Sequence, residues 1–505
     1  MEIQKPPLKK LKINNTKLNS INTKEMNVIA DTIIIENNDI QSSTSKKVVK
    51  PKKEKKISKL LIVEENNDND NNNNVVDISN EYTIIETFVG AGGSHLGFKN
   101  NNFKPIFVND IWNDSLKTLK LNNPELSENQ VICEDINELV KRDLCKEYKT
   151  KQGNLSVLIG GVVCKGFSLA GVRNPYDERN YLYISQLKLV EQFRPKISII
   201  ENVPGMRNMK ILSKQNVAPI SKNIQIDLNE SIEELCKTID EVIIKHKNNR
   251  GQIIAINKKS SADNNNNIQE NNEKKLKLEE EKGVLESRRK ELEILLDKYM
   301  YSVVDDIMER YNELGYKVYE KILMCSNYGG YTNRRRLIIV AVRNDITVEW
   351  KWPNITHSDD IETLPNCLTV KDAFNLLDYN GINMPSNDPD NVQMKHHDST
   401  VEKFKLITTE KKTTGYSSRG SSNRLSFDKP APTLVPGHSS FQIHPIEHRS
   451  ITVREGAVIT GFPTNYKFVG SHSDRCVQIG NAIPFHLGNA LAKSCIDLLV
   501  QIKNK

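Results

Sequence analysis

The chain has 505 residues, of which 37% are hydrophobic, so it is long and apolar enough for two or three domains with at least one sizeable core. No stretch approaches the run of about 18 apolar residues that crosses a bilayer, and the N-terminus lacks a signal-peptide core, which predicts a soluble, intracellular protein. The eight cysteines form no CxxC pair and indicate neither a disulfide framework nor a zinc ribbon. A formal net charge of +7 mildly favours a polyanionic partner such as nucleic acid.

Residues 1–78 have the composition of a disordered tail. Lysines cluster between positions 46 and 56, and an Asn/Asp run spans 66–74, so this segment cannot bury a core. The lysine cluster is typical of a nuclear import signal or a DNA-binding arm, and equally of a solvated polar tail. Composition alone leaves these alternatives open.

The rest of the chain begins with a strand, a tight glycine turn and a helix within residues 83–99. Further strand-like segments alternate with helical stretches and occur at 105–108, 156–159, 196–200, 317–323 and 337–342. Such alternation predicts an α/β fold with a doubly wound, Rossmann-like parallel sheet. We expect this main domain to occupy residues 79–205, 301–343 and 441–505.

Two insertions interrupt the main domain. Residues 206–300 are charged, and Leu278, Leu285, Leu292 and Tyr299 recur at heptad spacing, which predicts a helical hairpin or coiled coil. This insertion is either a partner-binding arm or a decoration without a function of its own. Residues 344–440 show little periodicity, carry basic side chains among Ser and Gly, and predict a smaller, loop-rich lobe.

Candidate cofactor residues follow the first two strands. Gly90, Gly92 and Gly93 would let the backbone approach a nucleotide-like ligand closely after the first strand. Asp110 ends the second strand, where an acid in such folds accepts hydrogen bonds from ribose hydroxyls. Asp135 follows the next strand. Its position predicts either a contact to an adenine amino group or the N-cap of a helix.

A single cysteine, Cys164, lies in a Gly-punctuated loop that follows a strand. A nucleophile is expected at such a place, although buried structural cysteines are more common than catalytic ones. The loop by itself therefore leaves both interpretations open.

Six segments occur in the order that is typical of one enzyme family, at 88–93, 160–168, 201–203, 332–336, 449–455 and 480–484. They resemble, in turn, the Gly-rich cofactor motif, the nucleophile loop Gly-Gly-Pro-Pro-Cys-Gln-Gly-Phe-Ser, and the Glu-Asn-Val, Gln-x-Arg-x-Arg, Arg-x-Leu-Thr-x-Arg-Glu and Gly-Asn-Ala-Val-Pro motifs of the cytosine-5 DNA methyltransferases. The resemblance covers residues 82–205, 316–342 and 424–491.

This resemblance implies transfer of a methyl group from S-adenosyl-L-methionine to carbon 5 of a cytosine that is flipped out of double-stranded DNA, with no metal. It implies Cys164 as the nucleophile on carbon 6, and Glu201 as the acid that holds and protonates N3. Arg334 and Arg336 would donate to the base carbonyl and to cofactor-side groups. The residues implied at the cofactor are Phe88, Gly90, Gly92, Gly93, Asp110, Ile111, Asp135, Ile136 and Asn481.

The resemblance also assigns roles to the domains. Residues 79–205, 301–343 and 441–505 become the catalytic domain, and residues 344–440 the target-recognition domain that reads base edges and phosphates. The insertion at 206–300 is the candidate surface for a protein partner. The expected location is the nucleus in a eukaryote and the cytoplasm otherwise.

Three departures from the family pattern bear on activity. Val163 replaces a proline that would stiffen the loop, Lys165 replaces a glutamine and could lower the Cys164 pKa or contact phosphate, and Thr332 replaces a glutamine. A weak or inactive DNA-binding homologue is therefore one alternative. Methylation of RNA cytosine is another, although the Cys-Phe-Thr stretch of the tRNA-acting branch does not occur in this sequence.

Overall fold

The computed structural model describes most of the chain from residue 82 onward. The described residues are 82–162, 177–212, 230–260, 268–297, 299–377, 388–409, 423–434 and 441–504. The predicted tail at 1–78 and the predicted nucleophile Cys164, with its neighbours Val163 and Lys165, lie outside them.

A seven-stranded sheet with the spatial order β3-β2-β1-β4-β5-β9-β8 forms the centre of the molecule. The strands in chain order are β1 (Tyr82–Thr87), β2 (Phe103–Asp110), β3 (Val131–Cys133), β4 (Val157–Gly160), β5 (Ile197–Asn202), the short pair β6 (Lys210–Leu212) and β7 (Met300–Ser302), then β8 (Tyr316–Met324) and β9 (Arg335–Arg343). Strands β1 to β5 pair in parallel, which confirms the predicted α/β fold class.

One strand of the sheet runs against the others, because β9 is antiparallel to both β5 and β8. A parallel connection needs a crossover of about a dozen residues or more, usually through a helix. Only residues 325–334 separate β8 from β9, so the chain turns back on itself. This reversal brings the first residues of β9 to the edge at which β5 ends.

Helices cover both faces of the sheet. They are α1 (Gly93–Asn100), α2 (Asn113–Asn122), α3 (Ile136–Leu139), α4 (Leu144–Glu147), α5 (Leu182–Phe193), α6 (Glu230–Ser260), α7 (Ile268–Asp297), α8 (Val303–Glu313), α9 (Val370–Phe374), α10 (Asp398–Lys405), α11 (Val453–Thr460), α12 (His472–Asn481) and α13 (Phe485–Lys503). Alternate strand residues point to opposite faces. Ile200 and Ile339 therefore pack with α5 and α8, whereas Ile199 and Val340 pack with α13. Within the described residues, no helix is both long enough and apolar enough to cross a membrane.

The charged insertion is helical and forms an arm. Helices α6 and α7 pack along each other, and Leu292 and Leu296 of α7 are buried against Ile239 and Ile243 of α6. Leu278 is also buried, and Leu285 and Tyr299 are partly buried, so the heptad positions face the inside of the hairpin. The arm joins the main domain where β6 pairs with β7.

The loop-rich lobe has only short helices among its described residues, and its buried side chains, such as Phe374 and Leu434, join a cluster with α11 and α12. Arg424, one of its basic residues, is held inside the lobe. Its guanidinium donates to the carbonyl oxygens of Phe404, Ile407, His444 and Glu447 at 2.6–2.8 Å. This arginine therefore braces a loop of the lobe against the segment that follows the lobe.

Helices α1 and α13 pack so closely that Gly97 must lack a side chain. A Cβ at this position would overlap the backbone nitrogen of Asn489 and lie 2.5 Å from the carbonyl carbon of Gly488. We expect Gly97→Ala to lower the free energy of unfolding by about 1–3 kcal/mol, because the helices must move apart. Urea unfolding followed by circular dichroism measures the change.

Gly251→Ala is the matched control, since Gly251 lies in α6 and a Cβ there meets nothing within 4 Å. This exchange should raise stability by up to about 1 kcal/mol through helix propensity. A Gly97→Ala protein as stable as the wild type would contradict the close packing of α1 on α13.

Candidate functional site

The glycine turn between β1 and α1 has an unusual backbone. Phe88, Gly90 and Gly92 all have positive φ, at 53°, 57° and 91°, a region that glycine tolerates and other residues rarely adopt. A Cβ at Gly90 would meet nothing within 4 Å, so open space lies above the turn. A Cβ at Gly93 would overlap the carbonyl oxygen of Ile483, so the turn is held against the loop before α13.

Asp110 fixes the turn from the end of β2. Its Oδ2 accepts a hydrogen bond from the backbone N–H of Gly90 at 2.8 Å, and its Oδ1 accepts one from Trp112 at 2.8 Å. Burial raises the pKa of this carboxyl group, while the backbone N–H groups of Trp112 and Gly90 oppose the rise. Ile111 beside it is 66% exposed, which leaves an apolar surface at the same edge.

Asp135 and Ile136 follow β3 at the same edge of the sheet. The Asp135 carboxylate accepts from the backbone N–H of Asn137 at 2.8 Å and caps α3, which is the second of the two roles expected for it. The Ile136 side chain is buried in the core. Any contact of Ile136 with a ligand at this edge would therefore use its backbone.

Glu201 and Arg336 form a buried ion pair where β5 ends and β9 begins. The Arg336 Nε lies 2.5 Å from the Glu201 Oε1, and both side chains are about nine-tenths buried. The N–H does not point at that oxygen, because Oε1 has no hydrogen-bond partner of acceptable geometry among the described residues. The carboxylate is thus close to a positive charge and still able to accept a hydrogen bond.

Arg334 lies two residues before Arg336, immediately before β9 begins. Its Nη2 donates to the carbonyl oxygen of Asn481 at 3.3 Å. Asn481 is exposed at the end of α12. Gly161 joins this group from β4, because a Cβ there would lie 3.4 Å from the Glu201 Oε2 and 3.6 Å from the Phe88 carbonyl oxygen. The structure therefore brings the end of β4 between the glycine turn and Glu201.

Several residues of this region carry no signal in the sequence. Tyr466 donates its hydroxyl to the carbonyl oxygen of Ala91 at 2.6 Å and so braces the glycine turn from far along the chain. Cys325 is fully buried close to Arg334 and Arg336, and burial raises the pKa of its thiol to about 12. A thiol that stays protonated is a poor nucleophile, so Cys325 is a packing residue.

The doubly wound sheet and the glycine turn after its first strand are typical of α/β enzymes. The model of the C-5 cytosine-specific DNA methylase family matches residues 82–285 and 292–497, so the chain belongs to this family and its enzyme class is DNA cytosine-5 methyltransferase.

Similar proteins agree with this assignment. The chain is 25% identical over 458 residues to the Type II methyltransferase M.Eco47II of Escherichia coli, covering 85% of this chain and 82% of that protein. It is 25% identical over 460 residues to the Type II methyltransferase M.DdeI of Desulfomicrobium norvegicum, covering 81% of this chain and 87% of that protein. A solved structure described as a DNA modification methyltransferase encoded within an E. coli prophage shares the fold, with a TM-score of 0.51 at 18% identity over 83% of this chain and all of that one.

His486, at the start of α13, supplies a pH-dependent contribution to stability. Its Nδ1 is buried, and no described residue forms a hydrogen bond with it; Tyr331 meets the ring edge-on at 5.3 Å. Burial, with a smaller contribution from His357, lowers the pKa of His486 from 6.5 to about 4. Between these pH values the unfolded chain binds more protons than the folded protein at this site.

The contribution of His486 is therefore present above pH 6.5 and is lost as the pH falls towards about 4. We expect His486→Gln to lose less stability than the wild type between these pH values, as measured by urea unfolding at a series of pH values. If the free energy of unfolding changed equally with pH in the two proteins, the result would show that His486 keeps its ordinary pKa.

Proposed function

We propose that this protein transfers a methyl group from S-adenosyl-L-methionine to carbon 5 of cytosine in double-stranded DNA through a covalent adduct with Cys164. The observation that carries the proposal is the buried pair of Glu201 and Arg336, 2.5 Å apart, beside Gly161. Cys164 follows Gly161 by three positions in the sequence. A carboxyl group, a guanidinium and a thiol are the three groups that activation of a cytosine ring requires.

The residues at the carboxyl ends of β1 and β2 suit the cofactor. The open space above Gly90 can receive a ligand, and the exposed Ile111 can pack on a flat base. We assign Asp110 to the ribose and Asp135 to the adenine, with Phe88, Gly92, Gly93, Ile136 and Asn481 completing the contacts. The cofactor supplies an activated methyl group.

The chemistry of the protein side chains follows from their types. The Cys164 thiolate adds to carbon 6 of the ring, which makes carbon 5 electron-rich. Glu201 donates a proton to N3 and holds the exocyclic amino group, while Arg336 and Arg334 donate to the base carbonyl and neighbouring groups. After carbon 5 has gained the methyl group, water accepts its proton, N3 returns its proton to Glu201, and elimination releases the Cys164 thiolate.

The DNA substrate requires a second surface. Carbons 5 and 6 are stacked inside a duplex, so the target base must leave the helix, at a cost of a few kcal/mol. We assign residues 344–440 to target recognition. The formal charge of +7, which belongs to the chain as a whole, favours binding to a polyanion. Relatives that are Type II methyltransferases support a role of the restriction-modification kind. We assign the protein to the nucleus in a eukaryote and to the cytoplasm otherwise.

The helical arm is the proposed surface for a protein partner. It carries exposed apolar side chains on both helices, including Ile254, Leu276, Val284 and Leu295. Single exposed apolar residues are common, but several on one projecting hairpin favour contact with another protein.

Incorporation of labelled methyl groups into duplex DNA tests the reaction. Cys164→Ala should abolish transfer, and Glu201→Gln should lower its rate by about 10² to 10⁴ because it removes the acid. Cys145→Ser is the control, since Cys145 is half-buried on α4, away from the site, and donates to the Gln192 carbonyl oxygen. Bisulfite sequencing of the product DNA identifies the methylated cytosines.

The alternatives give different results in the same assay. Transfer to RNA cytosine but not to DNA would establish the RNA methyltransferase. Binding of the cofactor without any transfer would establish an inactive DNA-binding homologue. Transfer that survives Cys164→Ala would contradict the covalent mechanism.

Asp110 allows a separate test of the cofactor assignment. Asp110→Ala removes the acceptor for the Gly90 and Trp112 N–H groups as well as the ribose ligand, so the Kd for S-adenosyl-L-methionine should rise by about tenfold or more. Asp110→Asn keeps one acceptor oxygen, so its Kd for S-adenosyl-L-methionine should lie between the values for Asp110→Ala and the wild type. Titration calorimetry measures both, with Asp114→Asn, an exchange at a partly exposed position on α2, as the control. Unchanged affinity in Asp110→Ala would contradict the assignment.

A further inference from the structure

The ends of β1 and β4 lie side by side at the site. Thr87 pairs with Gly160 in parallel register, and the Gly161 N–H donates to the Thr87 carbonyl oxygen at 3.4 Å. The glycine turn follows directly after Thr87, and the strand that leads to the catalytic thiol ends at Gly160. The two strand ends therefore lie between the turn assigned to the cofactor and the chain segment that leads to Cys164.

One side chain from outside the sheet touches both strand ends. Gln186 of α5 is fully buried, and its Oε1 accepts a hydrogen bond from the Thr87 hydroxyl at 2.5 Å. The amide lies against Gly160 so closely that a Cβ there would be 2.8 Å from its Cδ and Nε2, and 2.7 Å from the Thr87 Oγ1. Gln186 therefore contacts the last residue of β1 and the last residue of β4 together.

The amide nitrogen of Gln186 is the unusual feature of this contact. It is buried, and none of the described residues accepts a hydrogen bond from it. Exchanging the two ends of the amide would leave the oxygen without a donor instead. An unsatisfied buried polar atom costs about 1–3 kcal/mol, and apolar side chains of similar size at both position 186 and position 87 would avoid that cost. A buried amide atom without a partner among the described residues also occurs at Gln192 of the same helix, so the feature that distinguishes Gln186 is its contact with both strand ends of the site.

We propose that Gln186 is a positioning residue for methyl transfer, which fixes the ends of β1 and β4 through Thr87 and Gly160. This inference rests on the proposed function and adds to it a residue that acts through others. Misplacement of reacting groups by about 1 Å can slow a reaction by about 10²-fold. Loss of the Gln186 contact therefore lowers kcat, whereas the cofactor contacts at Gly90 and Asp110 remain and keep the Kd for the cofactor nearly unchanged.

Gln186→Leu keeps the volume and removes the amide, and Thr87→Val removes the hydroxyl. Each should lower kcat by about tenfold or more while the Kd for S-adenosyl-L-methionine changes by less than about threefold. Thr87→Ser keeps the hydroxyl and should restore kcat. The double variant Gln186→Leu/Thr87→Val should be no slower than either single variant, because the two side chains act as one unit.

Gln192→Leu is the matched control on the same helix. Gln192 also has a partly buried amide, and its Nε2 donates to the carbonyl oxygens of Val140 and Arg142. Its loss should lower stability and leave kcat unchanged. If Gln186→Leu retains wild-type kcat, or if Gln192→Leu loses as much activity at equal stability, the positioning role is overturned. A wild-type protein that transfers no methyl group overturns the proposed function and, with it, this inference.

Discussion

The antiparallel pairing of β9 with β5 is the constraint on which the site depends. Parallel strands place only their carboxyl ends at the catalytic edge, whereas an antiparallel strand places its first residues there. Glu201 pairs with Ile338 and Asn202 with Leu337, so the strand register leads directly to Arg336 beside the carboxylate of Glu201. Two charges that are distant in sequence become a buried ion pair at 2.5 Å.

Burial then decides what these groups can do. A buried carboxylate near one guanidinium keeps its charge balanced, and removal of either partner would leave an uncompensated charge. The same burial keeps the thiol of Cys325 protonated although two arginines lie nearby. Two buried polar atoms in this region, the Oε1 of Glu201 and the Nε2 of Gln186, have no hydrogen-bond partner among the described residues. Such unpaired atoms suit a site in which the substrates supply hydrogen-bond partners when they bind.

The helical arm is attached beside the helix that supports the site. The Tyr183 hydroxyl on α5 donates to Asp306 at 2.6 Å and lies 3.2 Å from the Tyr301 hydroxyl at the base of the arm. Tyr181, just before α5, donates to the Leu212 carbonyl oxygen. Gln186 follows Tyr183 by three positions, so α5 contacts both the base of the arm and the strand ends of the site.

The sequence by itself determined the α/β class, the helical insertion and the family, because hydrophobic periodicity and short motifs are local properties. It also placed Asp110 and Glu201 at strand ends. Only the tertiary structure decided that β9 runs antiparallel to its neighbours, and that Tyr466 and Gln186 brace the site. These features depend on contacts between residues far apart in the chain, and no local pattern records which distant side chains will meet.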